Sequence, residues 1–405
     1  MSFPILRIRC RCLRAEPTRS ILLAALLLSP AAALADWRIS PSIGAAYEYD
    51  DNPSLYSVQA VDESAHGALL NADIDFTHRT QISELTLTPA VYIRRYNLDE
   101  LDSNDYFFNM NYDHRGQRSR FRFRGQYADE SVRTAERSDV NFDVQNPDDI
   151  PNDASGRVLA TAKRQRFMVA PEWSYNVGQR TFVRLGANYR DVSYGDQIVT
   201  TLTDYSAYSV DAAFGFQKSK IDSLALVGYY RDNSYSSDAS FSGYGAGVEY
   251  ARNLSEKTRF RARLGVDKSD SATSANQSNV VGEISITRQL ETTQLIAAYD
   301  RAVVGDGSGV MSARDSVNFY VNHYLSQKVS LGAGISAYRT DPLSSQAVNF
   351  NNVDYAQLRA LLTWKVTRSW RIDFDYRYNY LKRNDFGTDA NSNQIDIWLR
   401  YSPIL

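Results

Sequence analysis

From Trp370 onward the chain sets an aromatic or aliphatic residue at every second position: Trp370, Ile372, Phe374, Tyr376, Tyr378 and Tyr380, with Arg371, Asp373, Asp375, Arg377 and Asn379 between them. After a polar break the alternation resumes through Ile395, Ile397, Leu399 and Tyr401. Successive strand residues face opposite ways, so a period of two gives each strand one oily face and one charged face, and it excludes an amphipathic helix, whose period is 3.6. The pattern recurs through the chain. Phe121 and Phe123 alternate with Arg120, Arg122 and Arg124; Val183, Leu185 and Tyr189 with Arg184 and Arg190; Phe260, Ala262 and Leu264 with Arg259, Arg261 and Arg263.

A sandwich would bury its apolar faces against one another and leave these arginine ladders in bulk water. In lipid, by contrast, every unpaired backbone amide costs several kcal/mol, so a sheet must close on itself with its oily face outward. The expected fold is therefore all-β: a transmembrane antiparallel up-and-down β-barrel of about eighteen strands (16–18). At that width the bore is too wide for side chains to fill and is expected to hold water. Tyr49, Tyr127, Tyr189, Tyr230, Tyr250, Trp364, Trp370 and Tyr380 lie near strand ends on the outward parity, where interfacial girdles belong.

The leader agrees with an envelope destination. Arg7, Arg9, Arg11, Arg14 and Arg19 precede an apolar run, Ser20–Leu34, that ends in Ala33-Leu34-Ala35. This is the layout of a cleaved signal peptide over residues 1–35, leaving 36–405 as the barrel. Its loss takes five arginines and Glu16 away, and moves the formal charge from −2 to −6. That balance argues against nucleic acid as a partner. Both cysteines, Cys10 and Cys12, fall in the leader, so the mature chain has no thiol for a disulfide or a metal.

Connections alternate in length. Segments such as Arg115–Ser119, Val177–Arg180 and Leu325–Lys328 are short, whereas Asp50–Ser64, Glu130–Ala162 and Thr340–Asn352 are long and rich in Asp, Asn, Ser and Gly. Short turns at one rim and long loops at the other are the outer-membrane layout.

Function then rests on the bore and the loops. Arg120, Arg122, Arg124, Arg184, Arg190, Arg259, Arg261, Arg263, Arg371 and Arg377 are expected to point inward as pore-lining cations. The longest loop carries Asp139, Asp143, Asp148, Asp149 and Asp153; folded inward it would form an acidic constriction opposite that wall, and left outside it would be a solvated loop. Tyr92, Tyr96, Tyr229, Tyr320 and Trp398 lie on the inward parity and could stack on sugar rings or serve only as structure. Catalysis finds no support: His66, His78, His114 and His323 show neither metal-ligand spacing nor a nucleophile beside them. No cofactor is expected.

At the end of the first mature strand, Glu48-Tyr49-Asp50-Asp51-Asn52-Pro53 resembles the start of a family of beta-barrel porins whose members often accompany exopolysaccharide gene clusters, and the layout is similar to Tyr401. The resemblance implies an outer-membrane barrel that could serve polysaccharide secretion, with membrane lipid, lipopolysaccharide, the barrel-insertion machinery and a polysaccharide cargo as partners. It carries no catalytic or binding residues. One departure is the ending Ser402-Pro403-Ile404-Leu405, where such barrels usually finish on an aromatic residue. A plugged barrel acting as a surface scaffold or receptor, and a secreted binding module, are the competing readings.

Overall fold

The computed structural model describes residues 37–55, 64–137, 162–195, 202–237, 240–271, 274–343, 352–384 and 388–403. The expected signal peptide and the acidic stretch Asp139–Asp153 lie outside them. Eighteen strands are present among the described residues: β1 Trp37–Asp50, β2 Ala65–Arg79, β3 Ser83–Tyr96, β4 Ser103–Arg115, β5 Ser119–Ser131, β6 Lys163–Asn176, β7 Thr181–Gly195, β8 Tyr205–Gln217 and β9 Asp222–Tyr235. They continue with β10 Ser240–Ser255, β11 Thr258–Ser271, β12 Ser274–Gln289, β13 Thr293–Gly305, β14 Met311–Tyr324, β15 Val329–Pro342, β16 Val353–Lys365, β17 Trp370–Arg383 and β18 Thr388–Tyr401. A single helical turn, α1 Val132–Arg137, follows β5.

Each strand pairs with its neighbours in sequence, and β18 closes on β1 in register from Ile43 opposite Tyr401 to Asp50 opposite Gln394. No strand edge is left open, as lipid requires. The tight turns gather at one rim. Several are built alike: the hydroxyls of Thr80, Ser219, Ser326 and Thr367 accept the amide of the residue three positions on, at 3.0–3.1 Å, a side-chain substitute for a backbone turn bond.

The alternation is realised face by face. Phe214, Leu226, Leu264 and Val266 stand outward and more than half exposed, while Arg184 of β7 and Arg261 and Arg263 of β11 pair with carboxylates inside. From Trp370 to Tyr380 the outward face of β17 spans ten residue steps. At about 3.3 Å per residue and a tilt of about 40° that is about 25 Å of barrel height, the thickness of the apolar band of an outer-membrane barrel. Tyr49, Tyr127, Tyr189 and Tyr230 face out at the long-loop end and Trp364 and Trp370 at the short-turn end, so both girdles are present.

One expectation is corrected. Toward the long-loop rim the interior is packed by protein. Val192, Tyr205, Tyr235, Phe241, Val303 and Met311 form one buried apolar cluster there, and Leu55, Tyr338, Val353, Tyr355, Leu381 and Ala390 another. A bore of this width is narrowed because connecting segments fold into it and because its inner wall carries large aromatic side chains at that level.

Candidate functional site

A basic cavity lies inside the bore toward the short-turn rim. Its volume is about 620 Å³, and it is lined by Arg120, Arg122 and Arg124 of β5, Arg184 of β7, and Arg259, Arg261 and Arg263 of β11, with Tyr229 of β9 between them. These arginines meet because period two puts each ladder on a single face, and because three strands that start from the same rim carry their ladders at the same level. Glu172 and Asp211 are the carboxylates of the lining, so its formal charge is +5.

Further acids partly neutralise it. Glu249 takes Arg184 at 3.0 Å and Arg263 at 2.7 Å, Glu283 takes Arg261 at 2.6 Å, and Glu172 takes Arg122 at 2.5 Å. Asp113 holds Arg120, and counting Glu249, Glu283 and Asp113 leaves a surplus of two positive charges. Arg259 makes no ion pair among the described residues. Such a surplus over several strands of wall attracts anions and repels cations.

Above this vestibule α1 crosses the bore. The segment leaves β5, yet the backbone oxygen of Arg137 accepts a 2.6 Å bond from Gln357 of β16. β16 is seven strands from β5 by the shorter way round a ring of eighteen, close to a full diameter. Arg133 and Arg137, four apart and so on one helical face, both reach the buried carboxylate of Asp50, at 2.9 and 2.6 Å. Arg133 also takes Glu48 at 2.8 Å and Tyr96 at 3.1 Å, and both guanidiniums donate to the Pro53 carbonyl. The Ser392 hydroxyl, donating to Asp50 at 2.7 Å, completes the cluster.

The turn Asp50-Asp51-Asn52-Pro53 thereby acquires a physical role. Asp50 and the Pro53 carbonyl hold the crossing segment. Asp51 accepts from the backbone and side chain of Asn393 at 2.6 and 2.7 Å, and Asn52 donates to the Asn391 carbonyl at 2.9 Å. The motif ties β1 to β18 at the barrel seam and provides the socket for α1.

A second segment, residues 306–310 between β13 and β14, also turns inward. A Cβ added at Gly305 would fall 2.1 Å from the Phe241 ring, and one at Gly307 would fall 2.1 Å from the Tyr194 hydroxyl. Only glycine allows that approach. Gly309 supplies the left-handed conformation, φ +75°, that returns the chain to β14. Asp306 pairs with the buried Arg314 at 3.6 Å, and the Gly307 carbonyl accepts from the Thr203 amide at 2.8 Å.

The inward residues named from sequence divide accordingly. The ladders on β5, β7 and β11 come together at one cavity, apart from Arg190, which stands beyond that cavity's lining. Arg371 and Arg377 lie on β17, away from it; Arg371 sits 3.1 Å from Asp373, and the part-buried Arg377 lies between Asp375 and Asp396 at 2.6 and 3.3 Å. Of the aromatics, Tyr229 lines the vestibule and donates to Asp267 at 2.8 Å. Tyr92 packs edge-on to Phe107 beneath Arg94. Tyr96, Tyr320 and Trp398 are at most 7% exposed, and the first lies under Arg133 and the last under Arg400, so these rings are covered by protein. Asp50, Glu48, Arg133, Arg137 and Gln357 were not foreseen. The one signal for them was a pair of arginines at helical spacing directly after a strand.

No protein-family model matches the sequence, and no curated protein matches it. Among solved structures the chain is similar to a BenF-like porin from Pseudomonas fluorescens Pf-5, with a TM-score of 0.48 and 9% identity over 91% of this chain and 99% of that one. It is similar to Acinetobacter baumannii OccAB4, at 0.47 and 8% over 91% and 98%. It is similar also to the siderophore receptor PirA from Acinetobacter baumannii, at 0.44 and 8% over 90% and 80%. Porins and a siderophore receptor resemble it about equally, so these likenesses say nothing about cargo. The chain's own geometry, a closed barrel with an apolar belt and tight turns gathered at one rim, is that of an outer-membrane barrel.

Proposed function

We propose that this barrel is a porin-like channel that passes hydrophilic anionic solute, with acidic polysaccharide or its oligomers as the leading cargo. In an outer-membrane barrel the short-turn rim faces the periplasm. The basic vestibule is therefore the periplasmic entrance, which favours export. The observation that carries the reading is the seven-arginine cavity with its positive surplus. Arginine matches carboxylate and sulfate geometry with two parallel donors, and Tyr229 offers an aromatic edge beside them. Passage breaks no covalent bond, so no nucleophile or metal is called for.

The test is the reversal potential of the purified barrel in a planar bilayer under a salt gradient. Anion selectivity that falls in an Arg259→Gln, Arg261→Gln, Arg263→Gln variant, together with block by an oligouronate added on the periplasmic side, is expected. Cation selectivity of the native protein would overturn the reading. A second reading, a plugged barrel that acts as a surface scaffold or receptor through its long loops, draws on α1 lying across the bore. It requires that no conductance appears even after the Asp50 socket is broken.

A further inference from the structure

Outside the bore, at the cell-surface end, six consecutive strands carry charges directly opposite one another. Arg301 of β13 faces Asp315 of β14, which faces Arg339 of β15, then Asp354 of β16, Lys382 of β17 and Asp389 of β18. The sign alternates at every step. All six lie on the lipid-facing parity, one row beyond Tyr299, Val317, Ala337, Ala356, Tyr380 and Asn391. Tyr380 closes the roughly 25 Å apolar span of β17, so Lys382 is the first outward residue above it, at headgroup level. Strands β7 to β10 present Asp191, Ser206, Asp232 and Ser242 outward and no cation near this height.

On β13 to β16 the acids are drawn in and the bases stand out. Arg339 binds Asp354 through Nε and Nη2 at 2.6 and 3.2 Å, which leaves its Nη1 edge unbonded among the described residues, and its side chain is 61% exposed against 22% for Asp354. Arg301 holds Asp315 through Nη1 alone, at 2.5 Å. Lys382 makes no ion pair among the described residues. Asp315 and Asp354 thus fix two of the three cations in place while each arginine keeps donors unused by its carboxylate. Three such cations recur on alternate strands, about 9.6 Å apart.

We propose that this belt is a docking surface for phosphorylated lipid headgroups of the outer leaflet, with lipid-borne phosphates bound by Arg301, Arg339 and Lys382. Planar guanidinium donors suit phosphate oxygens, and the neighbouring carboxylates keep the arginines from folding back onto the wall. Each cation near a charged membrane surface contributes about a fivefold change in affinity, so removing all three should cost on the order of 100-fold. The proposal does not depend on what passes through the bore.

The experiment titrates purified lipopolysaccharide onto the detergent-solubilised full-length barrel, with native mass spectrometry as the readout. Three variants are compared: Arg301→Gln/Arg339→Gln/Lys382→Gln, the single Arg339→Gln, and Lys268→Gln, which faces outward on β11, two strands outside the belt. Heat-modifiable gel mobility verifies that each is folded. Support is saturable binding by the native protein that inorganic phosphate does not displace, that weakens for dephosphorylated lipopolysaccharide, that drops about fivefold in the single variant and far more in the triple one, and that survives in Lys268→Gln. Equal binding by the native and triple variants, equal loss in Lys268→Gln, or loss of a self-associated dimer in place of lipid would overturn it.

Discussion

Replacing Asp50 with Asn tests how α1 is held across the bore. The carboxylate is fully buried and bonds Arg133 at 2.9 Å, Arg137 at 2.6 Å and Ser392 at 2.7 Å. Asn keeps the shape and one acceptor but removes the charge. Arg133 retains Glu48, whereas Arg137 retains only the Pro53 carbonyl and Ser392. Because both guanidiniums are at most 7% exposed, solvent screening is weak, and stripping the partner from a buried pair costs about 3–5 kcal/mol. That weakens docking of α1 by roughly two to nearly four orders of magnitude. Planar-bilayer recording should then show longer or larger open events than the native barrel, and cells carrying the variant should admit large hydrophilic antibiotics. A paired Asp50→Asn/Arg137→Gln variant should cost less than the two single changes summed, since it strands no charge. Native-like conductance in Asp50→Asn and in Arg137→Gln, with both still heat-modifiable, would refute the claim that this cluster closes the bore.

Other outcomes follow from the two faces of the wall. Leu264→Arg puts a cation on the lipid face near mid-membrane, where the side chain is 67% exposed, and should cost about 2–4 kcal/mol by urea unfolding in liposomes. Arg259→Gln, on the opposite face of the same strand, should leave that stability nearly unchanged while lowering anion selectivity. Gly305→Ala drives a methyl group into the buried Phe241 ring and should lower thermal stability by about 1–3 kcal/mol, whereas alanine at Gly178, which has open space around it, should be tolerated.

Strand number, closure, rim assignment and the arginine ladders were legible in the sequence because each follows from local alternation, which lipid and water enforce on every strand. Strand ends were less so. β18 begins at Thr388, several residues before the alternation becomes visible near Asn393, because Asn391, Ser392 and Asn393 are polar on both faces once the strand rises above the acyl layer. The crossing of α1 was not legible at all. It rests on contacts from Asp50 to Arg137 and Ser392, which are 87 and 342 positions away, and no periodicity carries information about which loop turns inward. The same limit applies to the aromatics: parity placed Tyr96, Tyr320 and Trp398 inside, but only packing reveals that their rings are covered.

Accessibility of single cysteines probes the arrangement most directly, since the two native cysteines, Cys10 and Cys12, both precede the first strand and the strands have none. With Leu185→Cys, Leu331→Cys and Arg261→Cys introduced one at a time into the reconstituted barrel, a bilayer-confined thiol reagent should modify the first two and spare the third. A membrane-impermeant charged reagent should do the reverse. Modification of Leu185→Cys and Leu331→Cys from water, with Arg261→Cys reached only through lipid, would contradict the account.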